Sequence, residues 1–157
     1  MQLVKNQPTF IADGMLGTTA RKLRILGYDT VYDTNSSDCE LIRLARSMER
    51  TLLTNDYELF INAKSSRVDV ILVKGDEEEK LYRVLFKSGV RGIDVDNLVS
   101  RCSICNGELS DIGEKAKSGS KVYSCLLCGK RYWRGGHWRK LILLFAEVNS
   151  MLNKELE

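Results

Sequence analysis

The apolar residues in the first part of the chain follow two alternating patterns, and these predict the fold. Residues 9–12 form a short apolar run typical of a buried strand, and residues 15–26 repeat apolar positions every three or four residues, as one helix face does. Further strands are predicted at 28–32, 50–54 and 68–73, and further helices start at residues 38, 57 and 76. This alternation predicts an α/β fold with a mainly parallel sheet and helices on both sides. The unbroken apolar run at 68–73 predicts a central strand that is covered on both faces.

The pattern changes at about residues 93–101, which predicts two modules. Residues 8–98 form the α/β module, and residues 99–157 contain two cysteine pairs, a basic aromatic segment and a final helix at about 137–156. The longest apolar runs are too short to span a membrane, and the N-terminus has no signal-peptide pattern. We therefore expect a cytoplasmic protein without a membrane partner.

Four of the five cysteines form two pairs with the spacing of a zinc site. The residues are Cys102, Cys105, Cys125 and Cys128. Two residues within each pair allow one tight turn to direct two thiolates at the same ion, and two such turns complete a tetrahedral site. The chain must pass through positive φ after each pair, which Asn106-Gly107 and Gly129 tolerate. Four thiolates leave no open position for catalysis, so we predict a structural zinc ribbon.

The fifth cysteine, Cys39, stands alone. An odd number of cysteines argues against a secreted disulfide framework and favours reduced thiols. We expect Cys39 to be a small buried apolar residue.

The net charge of +3 is unevenly distributed along the chain. Residues 115–146 contain eight basic residues and no acidic one, and such a segment attracts a polyanion. Aromatic rings alternate with these charges, as in segments that bind single-stranded nucleic acid. The candidate substrate-binding residues are Lys130, Arg131, Tyr132, Trp133 and Arg134. Two alternatives stay open: the segment is a solvated basic face, or its tryptophans pack the ribbon against the last helix, near whose start lies His137.

Three aspartates are predicted at one edge of the sheet. Asp13 and Asp56 follow predicted strands, and Asp38 begins the helix after the second strand. The corresponding ends of parallel strands meet at one edge, so these residues can converge. Carboxylates without thiolate or imidazole partners suit Mg²⁺ or Mn²⁺. Each also has a simpler interpretation, because Asp38 and Asp56 are good helix N-caps and Asp13-Gly is compatible with a phospho-accepting aspartate.

Four blocks of the sequence together resemble a known family. The blocks are Asp13-x-Met15-Leu-Gly17-x-x-Ala20-Arg21-x-Leu23-Arg24-x-x-Gly27-Tyr-Asp29-Thr30, Asp38-x-Glu40-Leu41, Leu53-Thr54-x-Asp56 and Arg101-Cys-x-x-Cys-Asn-Gly107. They resemble the PIN-like ribonuclease domain at the C-terminus of the Mut-seven exonuclease, a family that also occurs in prokaryotes as small stand-alone proteins with the same zinc ribbon. The resemblance covers about residues 10–141.

The resemblance implies a PIN-like three-layer sandwich and a metal-dependent ribonuclease acting on single-stranded RNA. It assigns the Mg²⁺ or Mn²⁺ site to Asp13, Asp38 and Asp56. By the same resemblance Glu40 is an additional acid, and Arg21 and Arg24 contact substrate phosphates. The chain departs from the pattern in two ways: Asn55 replaces a basic residue, and the fourth acid of PIN nucleases has only Asp76 as a candidate.

Two functions follow from these observations. The preferred one is an Mg²⁺- or Mn²⁺-dependent RNA endonuclease. The alternative is a non-catalytic RNA-binding or ribosome-associated zinc-ribbon protein with a degenerate PIN-like domain. A toxin of a toxin–antitoxin pair is an analogy from the wider PIN class only.

Overall fold

A four-stranded parallel sheet lies at the centre of the computed structural model, which describes residues 7–154. Its strands are β1 (Phe10–Ala12), β2 (Thr30–Tyr32), β3 (Thr51–Thr54) and β4 (Val70–Leu72), in the order β2-β1-β3-β4. Phe10 pairs with both Thr30 and Thr51, so the carboxyl ends of these three strands lie at the same edge.

The prediction that residues 68–73 form a central strand is wrong. Within the described residues, β4 pairs with β3 alone and lies at the end of the sheet, whereas β1 lies between β2 and β3. The run is apolar because both faces of β4 are covered: Ile71 belongs to the core on one face, and Val70 packs against the core on the other.

Helices cover both faces of the sheet. They are α1 (Gly17–Ile25, after a short 3-10 helix at Gly14–Leu16), α2 (Asp38–Ser47), α3 (Tyr57–Ser65), α4 (Glu77–Lys87) and α5 (Gly136–Lys154). Phe10 and Ala12 point into the core shared with α1, α4 and α5, while Ile11 points into the core shared with α2 and α3, as the two-residue period of a strand requires. This helix–sheet–helix arrangement confirms the predicted α/β fold of PIN-like type.

The last helix packs with the parallel-sheet module. The fully buried residues of α5 are Phe145, Val148 and Leu152, and they belong to the same core as Leu81 and Leu85 of α4. The division at residues 98 and 99 stays a prediction, and this packing favours grouping α5 with residues 8–98.

A three-stranded antiparallel sheet forms the ribbon. Its strands are β5 (Leu109–Lys115), β6 (Lys121–Cys125) and β7 (Arg131–Tyr132), in that order. The side chain of Asn106 accepts a hydrogen bond from the Thr30 amide at 3.0 Å and donates one to Asp29 Oδ1 at 2.6 Å. Both partners lie at the start of β2, so the ribbon docks at the amino ends of the strands.

Within residues 7–154, no helix combines the length and the apolar character that crossing a membrane requires.

Candidate functional site

The three predicted aspartates lie along the carboxyl edge of the parallel sheet. Asp13 directly follows β1, Asp56 comes two residues after the end of β3, and Asp38 is the first residue of α2, the helix after β2. The common strand direction places all three at the edge opposite the ribbon. Active-site crevices of open α/β sheets form at this edge.

The side chain of Thr54, at the end of β3, connects two of these aspartates. Its hydroxyl donates to Asp13 Oδ2 at 2.9 Å and accepts from the backbone N–H of Asp56 at 3.0 Å. Thr54 is fully buried, whereas Asp13 is half-buried and Asp56 is exposed. Sequence reasoning missed the role of Thr54; the available signal was a hydroxyl residue at a buried strand end, two positions before an aspartate.

Asp38 experiences the charges of the other two aspartates. Partial burial raises the pKa of its carboxyl group, and the negative charges of Asp56 and Asp13 raise this pKa further. The interpretation of Asp38 as an N-cap is wrong, because Ser37 caps α2 by accepting a hydrogen bond from the Glu40 amide. Asp38 takes no part in the cap, and its side chain is exposed.

Asp56 does cap its helix, as the simpler interpretation expected. Its Oδ1 accepts hydrogen bonds from the amides of Glu58 at 2.8 Å and Leu59 at 3.4 Å. No hydrogen bond of Oδ2 is found within residues 7–154. The cap fixes the carboxylate, so one residue can serve both the helix and a cation.

The three aspartates do not form a group of ligands close enough to share one ion directly. Among the described residues, the one set of three or more potential ligands close enough to share an ion is the cysteine set, so the aspartates are more widely spaced. Mg²⁺ usually keeps several waters and binds through one or two carboxylates, which fits such an open arrangement. Asp13, Asp38 and Asp56 stay the predicted ligands.

The two further acids considered for this site have other partners. Glu40 Oε1 lies 3.6 Å from Arg43 Nη2 in an exposed pair. Asp76 is the N-cap of α4: its Oδ1 accepts from the Glu79 amide, and Glu79 Oε2 accepts from the Asp76 amide, which completes a capping box.

The two arginines predicted to contact phosphates have different environments. Arg21 is exposed on α1. Arg24 is only 5% exposed, and its guanidinium donates to the Thr30 carbonyl at 2.9 Å and the Ser103 carbonyl at 3.0 Å. Burial lowers the pKa of Arg24, although the neighbouring thiols and Asp29 oppose the shift. Contrary to the prediction, Arg24 joins α1 and β2 to the ribbon, and its buried charge is not available to a phosphate.

The four predicted cysteines form one cluster. All four Sγ atoms lie within 4.8 Å of one another, with 3.7 Å between Cys102 and Cys128 and 3.4 Å between Cys105 and Cys125. A tetrahedral zinc with Zn–S bonds of about 2.3 Å separates its sulfurs by about 3.8 Å. The donor set and these distances fit zinc, and the predicted four-cysteine metal site is confirmed as a candidate.

The predicted turns after each cysteine pair are confirmed. Asn106 and Gly129 have φ of 69° and 76°, and their amides donate to the carbonyls of Cys102 and Cys125 at 2.9 and 3.0 Å. Gly107 is required for a different reason, namely space. A Cβ at this position would lie only 2.7 Å from Cys125 Sγ, which is too close for a side chain.

The pKa values of the Cys102 and Cys105 thiols are shifted in opposite directions, and the sulfur atoms close by contribute to both shifts. Burial raises the pKa of Cys102, but hydrogen bonds, first from the Tyr132 hydroxyl, outweigh it and lower the value to about 6. The Gly107 amide lowers the pKa of Cys105, but the sulfur of Cys125 and other contacts raise it to about 12. Neighbouring thiols therefore resist losing all their protons unless a positive ion is bound.

The basic aromatic segment is divided between the ribbon and an open groove. The hydroxyl of Tyr132 bonds Cys102 Sγ at 3.0 Å, and Lys130 Nζ lies 5.4 Å from the centre of its ring. Tyr132 thus supports the cysteine cluster, which differs from its predicted use as a stacking platform. Trp133 is 56% exposed, and Arg134 lies 4.7 Å from the ring of the half-buried Trp138.

Two residues without an assigned role are exposed. Cys39 lies on the surface of α2, so the expectation that it is buried is wrong. His137 is the second residue of α5, as predicted, and is exposed.

Comparison with known proteins identifies one family. Residues 8–145 match a family model described as the Mut7-C RNAse domain. No curated protein and no solved structure matches significantly. The family match extends across the parallel sheet, the ribbon and the first half of α5.

Proposed function

Because the chain belongs to the Mut7-C RNAse domain family, we propose that it hydrolyses phosphodiester bonds of single-stranded RNA internally, with Mg²⁺ or Mn²⁺ at its carboxylate edge. The observation that carries this proposal is the placement of Asp13, Asp38 and Asp56 at one edge, with Asp13 and Asp56 linked through Thr54. A metal-dependent ribonuclease needs negative groups that hold a cation where a phosphate arrives.

Each residue has a defined role in the proposal. Asp13, Asp38 and Asp56 would hold a divalent ion, and such an ion, when bound, would lower the pKa of a bound water and stabilise negative charge on the departing oxygen. Thr54 orients Asp13 and fixes the backbone of Asp56. Arg21 is exposed on the helix that starts at this edge, and it attracts the substrate phosphates.

The remaining parts of the proposal concern zinc and substrate binding. We assign zinc to the four cysteines as a purely structural ion. Of the basic aromatic segment, Lys130, Arg131, Trp133 and Arg134 are exposed and bind RNA in this proposal. The reduced thiolates favour a cytoplasmic location.

The test compares the same substitution at the two ends of the sheet. Asp13→Asn removes one carboxylate at the carboxyl edge, and Asp69→Asn removes an exposed one just before β4, at the amino edge. Cleavage of single-stranded RNA in Mn²⁺ is expected to fall about a hundredfold or more for Asp13→Asn and to stay unchanged for Asp69→Asn. Equal cleavage by both variants, or no cleavage of any RNA by the wild type, would contradict the proposal.

The non-catalytic alternative is favoured by one observation, the use of the fourth-acid candidate Asp76 as a helix cap. This alternative predicts salt-sensitive RNA binding that survives Asp56→Asn but is lost when Lys130, Arg131 and Arg134 are neutralised. Binding that is unchanged by those neutralisations excludes it.

A further inference from the structure

A groove lies where the ribbon meets α1 and the start of α5. It has a volume of about 590 Å³, and its apolar walls include Ile25, Leu98 and Leu141. Both tryptophans of the chain, Trp133 and Trp138, also line it. The groove therefore offers a wide apolar and aromatic surface next to the basic segment.

The charges around the groove are all of one sign. Its lining includes Lys130, Arg131 and Arg134 and contains no aspartate or glutamate. One of these cations is paired outside the lining: Arg131 Nη1 lies 3.1 Å from Glu114 Oε2 in an exposed pair. Aromatic faces with a cationic rim match single-stranded RNA, because the bases stack on rings while the phosphates meet the cations.

The groove and the aspartates lie at opposite edges of the sheet. The ribbon docks at Asp29 and Thr30, before the amino end of β2, whereas Asp13 follows the carboxyl end of β1. The helix α1 runs between the two edges. Its last residue, Ile25, lines the groove, and its first residue, Gly17, lies four positions beyond Asp13.

The helix α1 spans the distance between the two places. Arg21 and Ile25 are four residues apart and therefore lie on the same face of the helix, and the Tyr32 side chain packs against Gly17 at the first turn. Arg21 is exposed midway along this face. The span from Ile25 to Gly17 is about 12 Å at about 1.5 Å per residue. A strand with bases stacked about 3.4 Å apart covers it with about four nucleotides.

We propose that this groove is an anchoring site for single-stranded RNA, separate from the cleavage site, and that a bound strand crosses the face of α1 past Arg21 to reach the aspartates. This inference rests on the proposed function only for what happens at the far end of the strand. It has two consequences: substrates long enough to occupy both places bind more tightly, and substitutions in the groove weaken their binding without changing the chemistry.

The first experiment measures the groove directly in the full-length, zinc-loaded chain. Both tryptophans lie at the groove, so their fluorescence reports its occupancy. Poly-uridylate is titrated into the Asp13→Asn variant, which prevents cleavage during the measurement. We expect saturable quenching. When Arg134→Gln is added to Asp13→Asn, we expect the affinity for poly-uridylate to fall about tenfold or more. The control Arg139→Gln removes an equal charge from α5 outside the groove and is expected to bind as the parent does.

The second experiment compares short and long RNA substrates of the active chain. Arg134→Gln is expected to raise KM about tenfold for an RNA of about twenty nucleotides with kcat unchanged, and to raise KM by a clearly smaller factor for an RNA of about four nucleotides. Arg134 is exposed and contacts the ring of the half-buried Trp138, so unchanged zinc content and an unchanged thermal midpoint are needed to verify the fold of the variant.

Several results would overturn the inference. These are an absence of tryptophan quenching by poly-uridylate, equal weakening by Arg134→Gln and Arg139→Gln, or the same loss for short and long substrates. Quenching by a poly-glutamate peptide with the affinity of RNA would assign the groove to an acidic protein instead. A chain that binds RNA in the groove but cleaves none refutes the proposed function while supporting the anchoring site.

Discussion

Thr54 shows how one small side chain can organise the carboxylate edge. Its hydroxyl is the only hydrogen-bonding group of the side chain, yet it joins the ends of two strands by donating to Asp13 and accepting from Asp56. A buried hydroxyl is stable there because both its donor and its acceptor functions are satisfied. The distance between two proposed ligands thus depends on a residue that is not a ligand.

We predict that Thr54→Val weakens Mn²⁺-dependent cleavage about tenfold to a hundredfold. The loss of a hydrogen bond to a charged group is worth about 1.5–3 kcal/mol, and valine retains the shape of threonine. Cleavage rates and Mn²⁺ affinity are the measurements. Thr54→Ser keeps the hydroxyl and is expected to retain most activity; a serine variant as impaired as the valine variant would contradict this role.

Asp29 is the residue where pH acts on the contact between sheet and ribbon. Burial raises the pKa of Asp29, but hydrogen bonds from Arg50 and Asn106, together with the charge of Arg50, outweigh this and lower it. The Arg50 guanidinium lies 2.9 Å from its carboxylate. Since the folded pKa is below the unfolded value of about 3.9, Asp29 stabilises the fold above that pH, and the contribution is lost as the pH falls through the folded pKa.

We therefore predict that Asp29→Asn destabilises the protein most at neutral pH. The difference in unfolding free energy between wild type and variant should be constant from pH 7 to about pH 5 and should shrink below about pH 4. Urea unfolding of both proteins measures this difference at each pH where metal analysis shows that both retain zinc. A difference that grows on acidification would refute the assignment.

At the scale of elements, helix α4 shows how a predicted helix start uses its acidic residues. The acidic run at 76–79 starts the helix as its dipole favours. The structure uses Asp76 and Glu79 for a reciprocal cap, and Glu77 accepts a hydrogen bond from Thr19 on α1. The acids of this run therefore hold α4 in place, and the observed contacts of Asp76 are those of a cap.

The cap and the ligand roles of Asp76 make opposite predictions for one pair of variants. Asp76→Ala should lower the unfolding free energy by about 1 kcal/mol, whereas Asp76→Asn should leave it nearly unchanged because asparagine caps as well as aspartate. Both should cleave RNA at the wild-type rate under native conditions. Chemical denaturation and an initial-rate assay test this; a loss of Mn²⁺ binding in Asp76→Asn would identify Asp76 as the fourth acid.

At the scale of the whole molecule, the ribbon and the parallel sheet are stabilised differently. The sheet lies between two cores of buried apolar side chains. The ribbon is small, and its buried residues include Cys102, Val122 and Cys125, so a bound ion must supply much of its stability. Asn106 and Arg24 then transmit the position of the ribbon to the sheet.

We predict that a strong zinc chelator unfolds the ribbon while the parallel sheet keeps a cooperative transition. The thermal midpoint should fall, because the contacts of Asn106 with the start of β2 and of Arg24 with the Ser103 carbonyl are lost, and RNA binding in the groove should disappear. Metal analysis measures the loss of zinc, calorimetry measures the thermal midpoint, and tryptophan quenching measures RNA binding. Cys125→Ser should reproduce them, whereas Cys39→Ser, at an exposed cysteine outside the cluster, should retain one zinc per chain.

Most of the elements and the composition of both sites were predictable, because each depends on spacing within a short segment. The apolar period placed the helices, and the two cysteine pairs with the residues that follow them predicted the cluster and its positive-φ turns. The direction of parallel strands placed Asp13, Asp38 and Asp56 at one edge. Arg24 was misassigned because its i, i+3 relation to Arg21 gives no information about what covers it.

The sequence by itself determined the α/β fold, the carboxylates at a strand edge and a four-thiolate cluster, since periodicity and ligand spacing are local properties of the chain. Only the tertiary structure decided where these parts lie relative to one another. It placed β4 at the end of the sheet, packed α5 with α4, and docked the ribbon at the edge opposite the aspartates. That arrangement depends on contacts such as Asn106 with Asp29, which join residues far apart in the chain and leave no periodic signal in it.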